Sequence, residues 1–172
     1  MRVMATPFDV RDDAGNALRE LRDVQEWART YMTLRPVPDF RVGPEDDPQL
    51  QRWFVVPRNP FANVYLHRFL RSDDDRALHD HPWDNRSWII SGEYLEHLAD
   101  GTTVTRHEGE LTDWRPAIAA HRVELVTGPV TTLFFTGPIV RSWGFYCPQG
   151  WRHWRQFVTT TPGGNQRGRG CE

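Results

Sequence analysis

The sequence predicts an all-β protein, a barrel or sandwich entered through a single helix. Three observations carry this. From residue 51 to residue 158 the chain is a succession of short stretches rich in β-branched and aromatic residues. Between them stand turn-forming groups: Gly92-Glu93, Asp100-Gly101, Glu108-Gly109, Thr127-Gly128-Pro129 and Gly137-Pro138. Only one segment, ending near residue 34, has helical periodicity instead. No internal repeat is present.

In chain order, residues 1–12 are irregular, and Asp12 or Asp13 can cap a helix beginning after them. Leu18, Leu21, Val24, Ala28 and Tyr31 then recur at helical spacing, predicting an amphipathic helix over 14–34. Arg35-Pro36-Val37-Pro38 stops it. Residues 35–50, rich in Pro, Gly and Asp, read as a loop. Strands are expected at 53–56 and 63–70, the second with Tyr65, His67 and Phe69 on one face. The polar turn 72–75 lacks the alternate oxygens and the glycine of a cation loop. Further strands are expected at 85–91, 94–98, 102–107, 110–115, 121–126, 130–136 and 139–146, with a last strand or short helix at 151–158. The tail, 159–172, holds Gly, Thr, Arg and Pro, and reads as disordered. The expected division is therefore a helix and loop extension (1–50), a β-barrel (51–158) and a tail (159–172).

Composition excludes several functions. A chain of 172 residues suits one domain with an extension. The net charge of −2 provides no basic field for nucleic acid, and two arginines in Arg167-Gly168-Arg169-Gly170 make a weak RNA element. All 21 basic residues are Arg, so lysine Schiff-base and lysine general-base chemistry are excluded. Arg remains available to clamp carboxylates and phosphates. Cys147 and Cys171 are too few for a disulfide framework, which points to a reducing, cytoplasmic setting. The first ten residues show no apolar signal core, and no apolar run approaches the ~20 residues needed to cross a bilayer.

The chemistry concentrates at Leu78-His79-Asp80-His81-Pro82-Trp83. On a strand, residues two apart share a face, so His79 and His81 present both imidazoles to one point. His121 begins a later strand. His97, His107 and His153 read as surface or internally satisfied residues.

The stretch resembles the first motif of the cupin superfamily: His-x-His, then an acidic ligand, then a glycine. His79 and His81 match the histidines and Gly92 the glycine. The second cupin motif, Pro-x-Gly-x-x-His, falls on Pro116, Ile118 and His121, with Ile118 in the glycine place. The resemblance covers roughly 51–158. It implies a cupin-like double-stranded β-helix, or jelly-roll barrel, behind the N-terminal amphipathic helix. Counting back seven from Gly92 lands on Asn85, where the family places its carboxylate. Asp84 has the wrong parity and Glu93 lies past the turn. The expected site is therefore His79, His81 and His121, with Asn85 beside it.

Three neutral ligands leave a divalent metal its full charge, which favours an anionic bound group. Imidazole suits Fe, Zn, Cu and Ni. Iron(II) is the first expectation, with Zn, Ni and Mn as alternatives. His79-Asp80-His81 is also similar to the His-Asp-His of cupin thiol dioxygenases, although the Cys–Tyr pair of some members has no counterpart. The expected function is a non-haem iron(II) dioxygenase acting on a small anionic metabolite. The alternatives are a Zn- or Ni-dependent isomerase or lyase, and a non-catalytic binding module. Asn85 and Tyr146 are the candidates for hydrogen bonding at the reacting group. Tyr65, His67, Arg68, Arg141 and Trp143 are the candidates for substrate contact. Nucleic acid and membrane partners are not expected. The amphipathic helix and the abundant Trp make a homodimer the expected assembly.

Overall fold

The computed structural model describes residues 20–73 and 77–172. The helix α1 (Leu21–Leu34) buries Val24 and Ala28 and sets Leu21, Trp27, Tyr31 and Met32 beside them. It ends where the Arg35 N–H bonds back to the Tyr31 carbonyl, just before Pro36. The expected first turns, from residue 14, and the Asp12 or Asp13 cap lie outside the described residues. So do Asp74 and Asp75 of the polar turn.

Thirteen strands make up the body: β1 (Phe40–Val42), β2 (Leu50–Phe54), β3 (Asn63–Phe69), β4 (Leu78–His79), β5 (Asn85–Ser91), β6 (Tyr94–Leu98), β7 (Thr103–Arg106), β8 (His121–Leu125), β9 (Val130–Thr136), β10 (Gly144–Cys147), β11 (Gly150–His153), β12 (Val158–Thr161) and β13 (Gly164–Arg167). A short helix, α2 (Trp154–Phe157), separates β11 from β12. The strands form two sheets, ordered β12-β13-β1-β2-β3-β9-β5 and β11-β10-β4-β8-β6-β7. From β3 to β6 the chain changes sheet at each strand. After β7 it bridges back to β5 through Leu111 and Arg115, then returns by β8 and β9 between its own earlier strands. That winding is a double-stranded β-helix, or jelly roll.

The larger sheet is buried on both faces. On its outer face α1 packs against Trp53, Val64, Leu66, Trp88, Ile90, Leu133 and Phe135. On its inner face lie Tyr65 and Phe134 with Trp83, and Ile89 and Val130 with Tyr94 and Val123. All seven residues of β9 are accordingly buried, which explains why Val-Thr-Thr-Leu-Phe-Phe-Thr lacks a clean polar alternation. Gly92 links β5 to β6 at φ 80°, and a Cβ there would stand 3.0 Å from the Pro129 carbonyl oxygen. The motif glycine thus has both a conformational and a steric reason. Ile118 needs no such freedom, since no described non-glycine residue has positive φ.

Four expectations are corrected. The 35–50 loop contains β1. The 159–172 tail is not disordered: β12 and β13 form a hairpin, and β13 pairs in parallel with β1, Arg41 opposite Gly164. Cys147 and Cys171 are joined by a disulfide. Backbone pairing and a covalent tie order this tail without the large apolar core that its composition lacks. Finally, 139–146 is strand only from Gly144, since the N–H groups of Ile139 and Val140 bond to the Pro60 and Pro82 carbonyls and not to a neighbouring strand. Among the described residues no helix is long and apolar enough to cross a membrane.

Candidate metal centre

The register brings the histidines together. His79 on β4 lies directly opposite His121 on β8, and opposed residues in an antiparallel pair share a face. His81 stays extended two residues further on, its N–H bonded to the Ala117 carbonyl. One nitrogen from each of the three rings falls within 4.8 Å of the others. The Nε2 atoms of His81 and His121 are 2.9 Å apart.

Burial is the main force on all three rings, and it lowers their pKa values. For His81 the neighbouring His121 and His79 add to the effect, and for His121 the Arg115 charge does. All three are therefore neutral at neutral pH, with lone pairs to offer.

Behind His121 stands Glu96, fully buried on β6. Its Oε1 accepts from His121 Nδ1 at 2.6 Å, and its Oε2 from Arg106 Nε at 2.7 Å. Arg115 Nη2 also donates to Oε1. Burial pushes the Glu96 carboxyl up, but the His121 hydrogen bond and the two arginines outweigh it and keep Glu96 ionised. With Nδ1–H given to Glu96, the lone pair of His121 is on Nε2, which faces His81 and lies 3.2 Å from Arg115 Nη1. A carboxylate orienting an imidazole in this way is the usual support of a metal-ligating histidine. The three residues fit a divalent cation by donor type, protonation and orientation.

Among the described residues no carboxylate joins them, although Asp73 Oδ2 lies 3.8 Å from His79 Nδ1. Asn85 is buried in the wall, its amide donating to the Trp83 carbonyl at 3.2 Å and its Oδ1 without a partner. It does not line the cavity. Asp84 accepts from Ala117 N–H at 2.8 Å, which steadies the segment that holds His81. Glu93 pairs with His107. Asp80, between the two histidines, points to the opposite face. There it is fully buried and binds Arg141, Gly144 N–H, Trp151 Nε1 and the Tyr146 hydroxyl.

The triad opens on a cavity of about 450 Å³ between the sheets. Of the expected contact residues, His67 and Trp143 line it. Tyr65 is packed behind, against Trp83 and Phe134. Arg68 is exposed on the outer face of β3 and is no substrate contact. Arg141 and Tyr146 are spent on Asp80 outside the cavity. These two were misplaced because the strand begins later than its alternation suggested. Three residues at or beside the site escaped the sequence reading: Glu96 and Arg115 next to His121, and Arg52 in the cavity lining. Glu96 shares its inward parity with Tyr94, and a charge at an inward strand position was the available signal. Arg115 and Arg52 left no comparable mark.

Histidines on β4 and its exit face a histidine on β8, inside a double-stranded β-helix. The fold is the double-stranded β-helix that the cupin resemblance implied. A scan against protein-family models matches none, and a search of curated proteins finds no match. Solved structures do resemble the chain. The crystal structure of the DMSP lyases RdDddP and RnDddQII is 19% identical over 55% of this chain and 51% of that one, at a TM-score of 0.45. A DMSP lyase from Ruegeria pomeroyi is 14% identical over 59% and 54%, at 0.47. An RmlC-like cupin with a double-stranded β-helix from Methanocaldococcus jannaschii is 14% identical over 56% and 86%, at 0.45. The aligned part amounts to about half the length of each lyase chain.

Proposed function

We propose that this cupin is a non-haem iron(II) dioxygenase acting on a small anionic metabolite. One observation carries the reading: three neutral imidazoles converge with no carboxylate ligand among the described residues. Among the described lining residues Asp73 is the single carboxylate, its Oδ2 3.8 Å from His79 Nδ1. It already accepts from Gln49 Nε2 at 2.6 Å and Val123 N–H at 2.8 Å. An isomerase or lyase needs a proton acceptor beside its Lewis acid, whereas oxygen chemistry does not.

Iron(II) held by His79, His81 and His121 would supply oxygen activation at its open positions. The chain's own residues do the rest. Glu96 fixes the His121 tautomer and ring plane. Arg115 Nη1 lies 3.2 Å from His121 Nε2, and its charge is matched by Glu96. The surrounding ion pairs are balanced, Glu96 and Glu110 against Arg115 and Arg106, so an anion is drawn to the metal rather than to them. Trp83, Phe134 and Phe69 keep the lining apolar and limit water.

The test is iron(II) loading under argon, then oxygen-uptake measurements with a panel of small carboxylic acids. The wild type retains iron and consumes oxygen with at least one acid, while His121→Ala does neither. Turnover that persists under argon, or with zinc in place of iron, replaces this reading by Lewis-acid chemistry.

A further inference from the structure

Across the cavity from the triad lies a cation that lacks a counter-ion. Arg52 on β2 stands opposite His67 on β3, so both side chains face inward. Its Nε donates to His67 Nε2 at 2.7 Å. Its guanidinium carbon lies 4.8 Å from the centre of the Tyr65 ring and 5.5 Å from that of Phe40. Two rings and one hydrogen bond thus hold the fork in place. No described carboxylate pairs with it, and its two Nη groups have no hydrogen-bond partner among the described residues. Burial lowers its pKa to about 10, so the charge persists at neutral pH. Arg52 is half-buried with its Nη groups open to the cavity, so an anion entering there can take up both donors.

The surface between Arg52 and the triad is continuous and aromatic. The His67 ring stacks on Phe134 at 5.0 Å between centroids, and Phe134 lies 5.7 Å from the His81 ring. Trp83 stacks on His81 at 5.6 Å with an interplanar angle of 21°. Arg52, His67, Phe134, Trp83 and the three histidines all line the same cavity. A guanidinium fork matches a carboxylate with two parallel hydrogen bonds. A dianionic phosphate calls for more donors than this one fork. The other cations of the lining, Arg58 and Arg167, are exposed at its rim.

We infer that Arg52 anchors the carboxylate of an acid with an apolar, preferably aromatic, body. That body lies over Phe134 and Trp83, and its far end reaches the triad. This names the substrate class of the proposed metal site and rests on that reading for the role of the far end only.

Titration calorimetry of phenylacetate into the zinc-loaded full chain tests it, since zinc fills the triad without oxygen chemistry. Phenylacetamide removes the charge and acetate removes the body. Phenylacetate is expected to bind at least about tenfold more tightly than either. Arg52→Met is expected to lose about tenfold or more for phenylacetate, with zinc content and phenylacetamide affinity unchanged. Equal affinity for acid and amide, wild-type affinity in Arg52→Met, or no phenylacetate binding overturns the anchor. Equal affinity for acetate overturns the apolar body. If Arg52→Met does not fold, the acid–amide comparison on metal-free wild type decides, because zinc itself attracts a carboxylate. Zinc content reports separately on the metal reading, and the same titration on metal-free protein tests Arg52 even if the triad takes no metal.

Discussion

At the scale of the residue, the centre depends on one buried carboxylate. Glu96 decides which nitrogen of His121 carries the proton, and thereby which one faces His79 and His81. Glu96→Gln keeps the size and can still accept through its carbonyl oxygen, but it removes the charge that Arg106 and Arg115 share. Metal affinity is expected to fall by about 10- to 100-fold, read by competition with a chromophoric chelator. Stability should fall as well, by roughly 3–5 kcal/mol, because two guanidinium groups lose a buried partner. Metal affinity unchanged in a folded Glu96→Gln would remove Glu96 from the site. His79, His81 and His121 were legible because residue type and spacing suffice to single them out. Glu96 was not, because its role depends on a neighbour 25 positions away that only the β6–β8 pairing supplies.

At the scale of the element, the C-terminal hairpin is the part whose character changed most. Composition made it a tail, but β13 lies beside β1 so closely that a Cβ on Gly164 would fall 2.2 Å from the Arg41 carbonyl oxygen. Val158, Thr160, Asn165 and Gln166 from this hairpin line the cavity opposite the barrel. The Cys147–Cys171 bond closes a loop with a sequence separation of 24 around it. Loop-closure entropy gives such a bond about 3 kcal/mol. Cys147→Ser with Cys171→Ser should therefore unfold at lower urea concentration by about that free energy. Hydrogen exchange should quicken in β12 and β13 before it does in β9. Uniform quickening across all strands would mean that the hairpin is not a separate unit. Sequence reading missed this element because β-pairing with a distant strand needs no apolar signature of its own.

At the scale of the whole molecule, one sheet separates two cores. The outer core is α1 on Trp53, Leu66, Leu133 and their neighbours, and the inner one carries the cavity. The apolar stripe of α1 is thus covered within the chain. Val24→Asp would bury an unpaired carboxylate in the outer core, at a cost on the order of 3 kcal/mol. Urea unfolding should show that loss, while the folded fraction still binds metal with wild-type affinity. Loss of metal binding at unchanged stability would show the two cores to be coupled. By itself the sequence determined the all-β class, most strand positions, the helix, and the three histidines with no carboxylate at Asn85. These arise from local periodicity, turn chemistry and spacing, which act within a few residues. The tertiary structure alone decided that Asp80 and Arg141 form a structural tie, that Arg68 faces outward, that Glu96 and Arg115 stand behind His121, and that Arg52 lines the cavity. Facing and pairing at those positions are set by which strands become neighbours and where each begins. In a double-stranded β-helix those neighbours are distant in sequence, so no local pattern encodes them.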